Sequence, residues 1–167
     1  MIVLFDASAL INLVKGAAFE IILALPRFEF MVGPIVLQEC VGSDEVVNVV
    51  RKAVDDGRVG LLDDSQISGA LFLSLLEQFR LGPGETECLT FAVDSDAVMC
   101  SDDLKARQVA AGEFGEDRVT GSLGLLRDAV RTGVTTAHVA WEAYERMKQE
   151  GAFLPDLSRN FFTRVDT

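Results

Sequence analysis

Short apolar runs that each stop beside the start of a helix restrict this chain more than any other feature. Residues 2–5 (IVLF) stop at Asp6, residues 28–32 stop at Gly33 and Pro34, and residues 59–62 stop before a polar stretch. Residues 97–100 (AVMC) stop at Ser101, Asp102 and Asp103. A continuous β-prone run of this length is the pattern of a parallel strand covered on both faces.

The segments between these runs carry helical periodicity. Ser8 starts a helix with Leu10, Ile11, Leu13 and Val14 on its apolar face; Gly16 interrupts it, and a second piece over residues 19–25 stops at Pro26. Pro34 suits the first position of a short helix over residues 35–41 that carries Glu39. Ser43 caps a helix to about Asp56, and Leu71, Leu75, Leu76 and Phe79 predict one long helix over residues 65–81 closed by Gly82. Further helices are expected over residues 104–111, 122–130 and 136–149, with a short edge strand at 118–120 and a short terminal helix after Pro155. Strands alternating with helices predict an α/β fold with a parallel sheet of four or five strands and helices on both sides.

At 167 residues, 49% of them apolar, the chain suits one domain with a substantial core. A net charge of −11 opposes a broad phosphate-binding face, although carboxylates gathered to hold cations add to that total. Cys40, Cys88 and Cys100 are odd in number and form no C-x-x-C pair, which indicates neither disulfides nor a zinc knuckle. The first residues lack a basic n-region, and no apolar run reaches the roughly 18 residues needed to span a bilayer, so a soluble cytoplasmic protein is expected.

The stretch over residues 82–107, GPGETECLTFAVDSDAVMCSDDLKAR, puts two acidic pairs beside element ends. Ligands of open α/β sheets sit outside the carboxyl ends of the strands, where Asp6 and Asp102 fall. Asp6, Glu39, Glu85 or Glu87, and Asp102 or Asp103 all lie at strand ends or on adjoining helices. Two carboxylates about 4 Å apart repel by roughly 4 kcal/mol at an effective dielectric near 20, so convergence would demand protons or cations. Oxygen ligands select Mg2+ or Mn2+ over zinc. Two residues apart on a helix, Glu85 and Glu87 point to nearly opposite sides, so one alone is expected to face the ions; Glu87 is favoured, with Glu85 serving the helix start. Asp102 is nearer the strand end than Asp103, which is left as a fourth or supporting ligand. Capping alone accounts for an Asp before a helix at about 1 kcal/mol, but a charge closing an apolar central strand, as Asp6 does, is costly unless compensated.

Ser8, Asn12, Thr120 and Ser122 are candidates to hydrogen-bond the acids from behind, and Lys105 and Arg107 to touch substrate phosphates. His138, the single histidine, reads as a surface or packing residue. Neither a G-x-x-x-x-G-K-[ST] loop nor a G-x-S-x-G elbow is present.

These motifs together resemble the PIN-domain family, which includes VapC-like metal-dependent ribonucleases. The strand closing in Asp6 with Ser8 after it, Glu39 in VLQEC, GETECLTFA, VMCSDDLKAR and TGSLGLLRDAV follow the family's order over nearly the whole chain. The resemblance implies a PIN-like three-layer α/β/α domain over residues 1–167. It also implies a magnesium- or manganese-dependent nuclease that cleaves single-stranded RNA, with Asp6, Glu39, Glu87 and Asp102 as catalytic metal ligands. A toxin role beside an antitoxin protein, and a homodimer, are further implications. Two rivals accompany this reading: a PIN-like interaction module without activity, and an aspartate-nucleophile phosphatase, which wants a second acid where Ser8 stands.

Overall fold

The computed structural model describes residues 1–163; the expected domain span to residue 167 ends outside them. The chain runs β1 (Ile2–Phe5), α1 (Ala7–Lys15), α2 (Phe19–Leu23), β2 (Glu29–Val32), α3 (Pro34–Glu39), α4 (Asp44–Asp55) and β3 (Val59–Leu61). It continues through α5 (Gly69–Phe79), α6 (Pro83–Val93), β4 (Val98–Cys100), α7 (Leu104–Phe114), β5 (Val119–Thr120), α8 (Ser122–Arg131) and α9 (Ala137–Gln149), and a short 3-10 turn over Arg159–Phe162 follows.

The five strands pair in parallel in the order β3-β2-β1-β4-β5. Phe5 at the end of β1 pairs with Val32 on one side and Cys100 on the other, so the strand ends are level. β1, the central strand, has Val3, Leu4 and Phe5 at zero exposure, which its unbroken apolar run requires. Its Phe5 ring stacks on that of Phe30. Helices cover both faces: α1, α4, α8 and α9 pack together on one, while α6, flanked by α5 and α7, lies on β1 and β4 from the other.

The chain leaves β1 towards β2 and returns to pair β4 on its opposite edge. This reversal opens a crevice at the carboxyl ends of β1 and β4, where α/β sheets place ligands.

One expected element does not form as a single piece. In place of a helix over residues 65–81, a 3-10 turn at Asp64–Gln66 precedes α5, whose start at Gly69 is capped by the Ser68 hydroxyl accepting the Leu71 N–H. α5 stops at Phe79 because Arg80 is left-handed (φ 52°), and Gly82 then caps α6 instead of closing α5. The apolar period carried no sign of these breaks, since Ser68 and Arg80 suit a helix interior well enough to pass unnoticed.

Candidate active site

Asp6 is the first residue past β1 and the N-cap of α1, accepting the Ala9 N–H at 2.8 Å. It is 1% exposed. The Ser8 hydroxyl donates to its carboxylate at 2.8 Å, and the Ser101 hydroxyl donates at 2.5 Å from the end of β4. Because Phe5 pairs with Cys100, the residues that follow each strand, Asp6 and Ser101, meet across the crevice.

Asp102 stands beside this pair. Its carboxylate accepts from the Asn12 side-chain amide at 2.7 Å, the Ser122 hydroxyl at 2.6 Å and the Ser122 N–H at 2.8 Å. Its own N–H donates to the Ser8 hydroxyl at 2.9 Å, so Ser8 ties the two aspartates together. Ser8, Asn12 and Ser122 thus each touch one of the acids, whereas the Thr120 hydroxyl lies against Gly124 and touches neither. Sequence reasoning assigned no role to Ser101; pairing the two strand ends level with each other would have revealed it.

Burial drives the Asp6 carboxyl up to about 7, against the lowering effect of the Ala9 N–H and the Ser101 and Ser8 hydroxyls, and the Asp102 charge pushes the same way as burial. The crevice therefore holds a carboxylate whose charge its own donors do not fully offset.

The glutamates are arranged otherwise. Glu39, at the end of α3, accepts the Gly84 N–H at the start of α6 at 2.8 Å. Glu87, on α6, accepts the Ile35 and Val36 N–H groups at the start of α3, both at 3.1 Å to one oxygen. α3 and α6 thus cap each other. Gly33 and Gly84 permit this, since a β-carbon at either would fall 1.9 Å from Glu87 or 2.3 Å from Glu39. Glu85 accepts the Gly82 N–H at 2.9 Å in a capping box and is pushed upward by burial, with Asp103 and Glu39 adding repulsion. Asp103 caps α7 through the Ala106 N–H. Glu85, Glu39 and Asp103 therefore share one neighbourhood, while Glu87, expected to face the ions, is 2% exposed and turned onto α3.

A family model described as a PIN domain matches residues 2–165. The chain belongs to the PIN-domain family. No curated protein and no solved structure matches the chain. PIN domains are generally nucleases and typically use divalent metals, so membership supports a nuclease-type, hydrolytic fold.

The donor chemistry of this PIN domain suits a hard divalent cation: the acids near the crevice offer oxygen, and burial makes the charged form of Asp6 costly, with the Asp102 charge adding to it. A finished cage is not assembled, for among the described residues no three His, Cys, Asp or Glu side chains converge closely enough to hold an ion. Each carboxylate is instead turned onto hydrogen-bond donors. Of the two basic candidates, Lys105 donates to the Arg80 carbonyl at 2.8 Å, and Arg107 lines the cleft beside Asp102. Among the described residues no helix is long and apolar enough to cross a membrane.

Proposed function

We propose that this PIN domain is a magnesium- or manganese-dependent endoribonuclease that hydrolyses phosphodiester bonds of single-stranded RNA, the whole chain acting as one domain. The observation that carries the reading is the buried Asp6, held by hydroxyls beside Asp102 at the sheet's switch point, with its carboxyl raised to about 7. Asp6, Glu39 and Asp102 would hold the cation by turning their carboxylates from their present donors toward it. Glu85 is favoured over Glu87 as a further ligand, because it shares a neighbourhood with Glu39 and Asp103. When bound, such an ion neutralises charge on the phosphate oxygens and makes water more acidic.

The remaining work falls to the chain itself. Ser8 and Ser101 fix the orientation of the Asp6 carboxylate, and Asn12 and Ser122 fix that of Asp102. Arg107, on the cleft wall, meets the substrate backbone; Lys105, engaged on Arg80, braces the start of α7. The finer role, a cytoplasmic toxin paired with an antitoxin and acting as a homodimer, rests on family resemblance alone. Co-purification with the product of an adjacent small reading frame tests it.

Asp6→Asn should lower magnesium-dependent cleavage of a single-stranded RNA at least about a hundredfold, more than the loss of a mere supporting hydrogen bond would. Circular dichroism shows whether the variant keeps its fold, and a folded variant with undiminished cleavage sinks the proposal. The inactive-module reading draws on the separation of the carboxylates. Calorimetric titration with manganese decides between them, since a module without activity binds none at millimolar concentration. The phosphatase reading loses ground because Ser8 donates to Asp6 where a second acid would be needed.

A further inference from the structure

A cleft of about 570 Å³ has Ser8, Asn12 and Asp102 along one side, and its other walls come from α1, α7, α8 and the segment after α9. Those walls are apolar, made by Ile11, Leu104, Leu123, Leu154 and Pro155, and Phe153 stands among them. The volume lies in the range that binds small molecules and nucleosides.

Phe153 is 100% exposed, the most exposed large apolar side chain among the described residues. Its segment is nevertheless tied down on both sides. The Ala152 N–H bonds to the Met147 carbonyl at 3.0 Å; the buried Tyr144 hydroxyl donates to the Pro155 carbonyl at 2.9 Å and accepts the Leu157 N–H at 3.1 Å. A ring held out in water on an anchored loop contributes nothing to the core, and it is already positioned for a ligand. Arg107 lines the same cleft, and its buried Nε–H has no partner among the described residues.

The charge of the chain narrows the ligand. At −11, it draws little affinity from counterion release along a phosphate backbone. Proteins that hold single strands have a second source, the stacking of bases on aromatic rings, which works without a basic surface.

We propose that this cleft receives one nucleobase of the single-stranded substrate, stacked on Phe153 and next to the phosphate at the aspartates, with Arg107 donating to that nucleotide. The substrate class rests on the nuclease reading; the stacking site rests on the cleft and the anchored ring. An apolar peptide side chain is the competing occupant.

The test is fluorescence anisotropy with a labelled single-stranded RNA hexamer and the full chain, with calcium in place of magnesium. Phe153→Ala should weaken binding about tenfold, Phe153→Leu nearly as much, and Phe153→Tyr very little. An abasic nucleotide at one position of the hexamer should cost the wild type a similar factor and cost Phe153→Ala nothing. Equal affinity of wild type and Phe153→Ala, or no binding by the wild type, overturns the inference and leaves the peptide as occupant. The exposed position makes misfolding of these variants no obstacle. The nuclease reading stands or falls separately on cleavage by Asp6→Asn, so a chain that needs Asp6 to cut but ignores Phe153 breaks only the stacking site.

Discussion

Two sets of acids, one at the ends of β1 and β4 and one between α3 and α6, are held by different donors. The aspartates at the ends of β1 and β4 rely largely on side-chain hydroxyls and an amide: Ser8 and Ser101 on Asp6, Asn12 and Ser122 on Asp102. Glu39 and Glu87 rest on the backbone N–H groups of α6 and α3, where helix dipoles add a favourable field. Helix capping is ordinary structural work and leaves the buried Glu87 satisfied on two N–H groups, whereas the exposed Glu39 accepts, among the described residues, only the Gly84 N–H and keeps lone pairs for an ion. The Asp6 carboxyl, pushed up by burial despite its donors, is left with an unfavourable charge that a cation would relieve. The two sets therefore differ in what compensates them: Glu87 is compensated by a helix start, while burial outweighs the Ala9 N–H and the hydroxyls at Asp6.

The largest effect that would break this contrast is the pH dependence of stability. Asp6 has a folded value near 7 against 3.8 when unfolded, so the folded state binds the extra proton between those values. In chelator, stability should be full below about pH 4 as far as Asp6 is concerned and fall by roughly 4 kcal/mol as pH rises through 7. Urea unfolding at pH 4 and pH 8 measures the drop. Asp6→Asn should flatten it, and millimolar manganese at pH 8 should restore the wild type. A pH-independent wild type would show that the hydroxyls already offset the Asp6 charge.

Next in size is Glu87→Ala, which strands the Ile35 and Val36 N–H groups at a buried helix start and should cost about 3 kcal/mol in chemical denaturation. If Glu87→Gln instead keeps full stability and loses cleavage, the division between structural and ion-holding glutamates fails. Glu39→Ala, at an exposed carboxylate, should cost only about 1 kcal/mol in the same assay. Its cleavage should nevertheless fall, and full activity would remove Glu39 from the proposed ligands. The smallest effect belongs to Thr120→Val, expected within about 0.5 kcal/mol of wild type and with cleavage unchanged. A sharp loss of activity there would extend the hydrogen-bonded aspartate site to β5.

Much of the fold was legible because it is written locally. Residues 2–5 and 97–100 have the unbroken apolar character of central strands, and their ends place Asp6 and Asp102 at the carboxyl edge of the sheet. The break before α5 was not legible, since the Ser68 cap and the left-handed Arg80 interrupt an apolar pattern that runs through both. Ser101 was overlooked because its role exists only where β4 lies beside β1. Helix geometry correctly separated Glu85 from Glu87 onto different sides, yet it had no means of saying which side faced α3.

The sequence by itself determined a parallel α/β domain with acids at the strand ends and on the neighbouring helices, because periodicity and apolar runs depend on residues close together in the chain. Tertiary structure alone decided which donors each acid meets. Glu87 meets Ile35 and Val36, and Asp6 meets Ser101, across long separations in sequence. Burial and hydrogen-bond donors come from those distant partners, and they decide whether a carboxylate's charge is offset, as at Glu87, or left costly, as at Asp6.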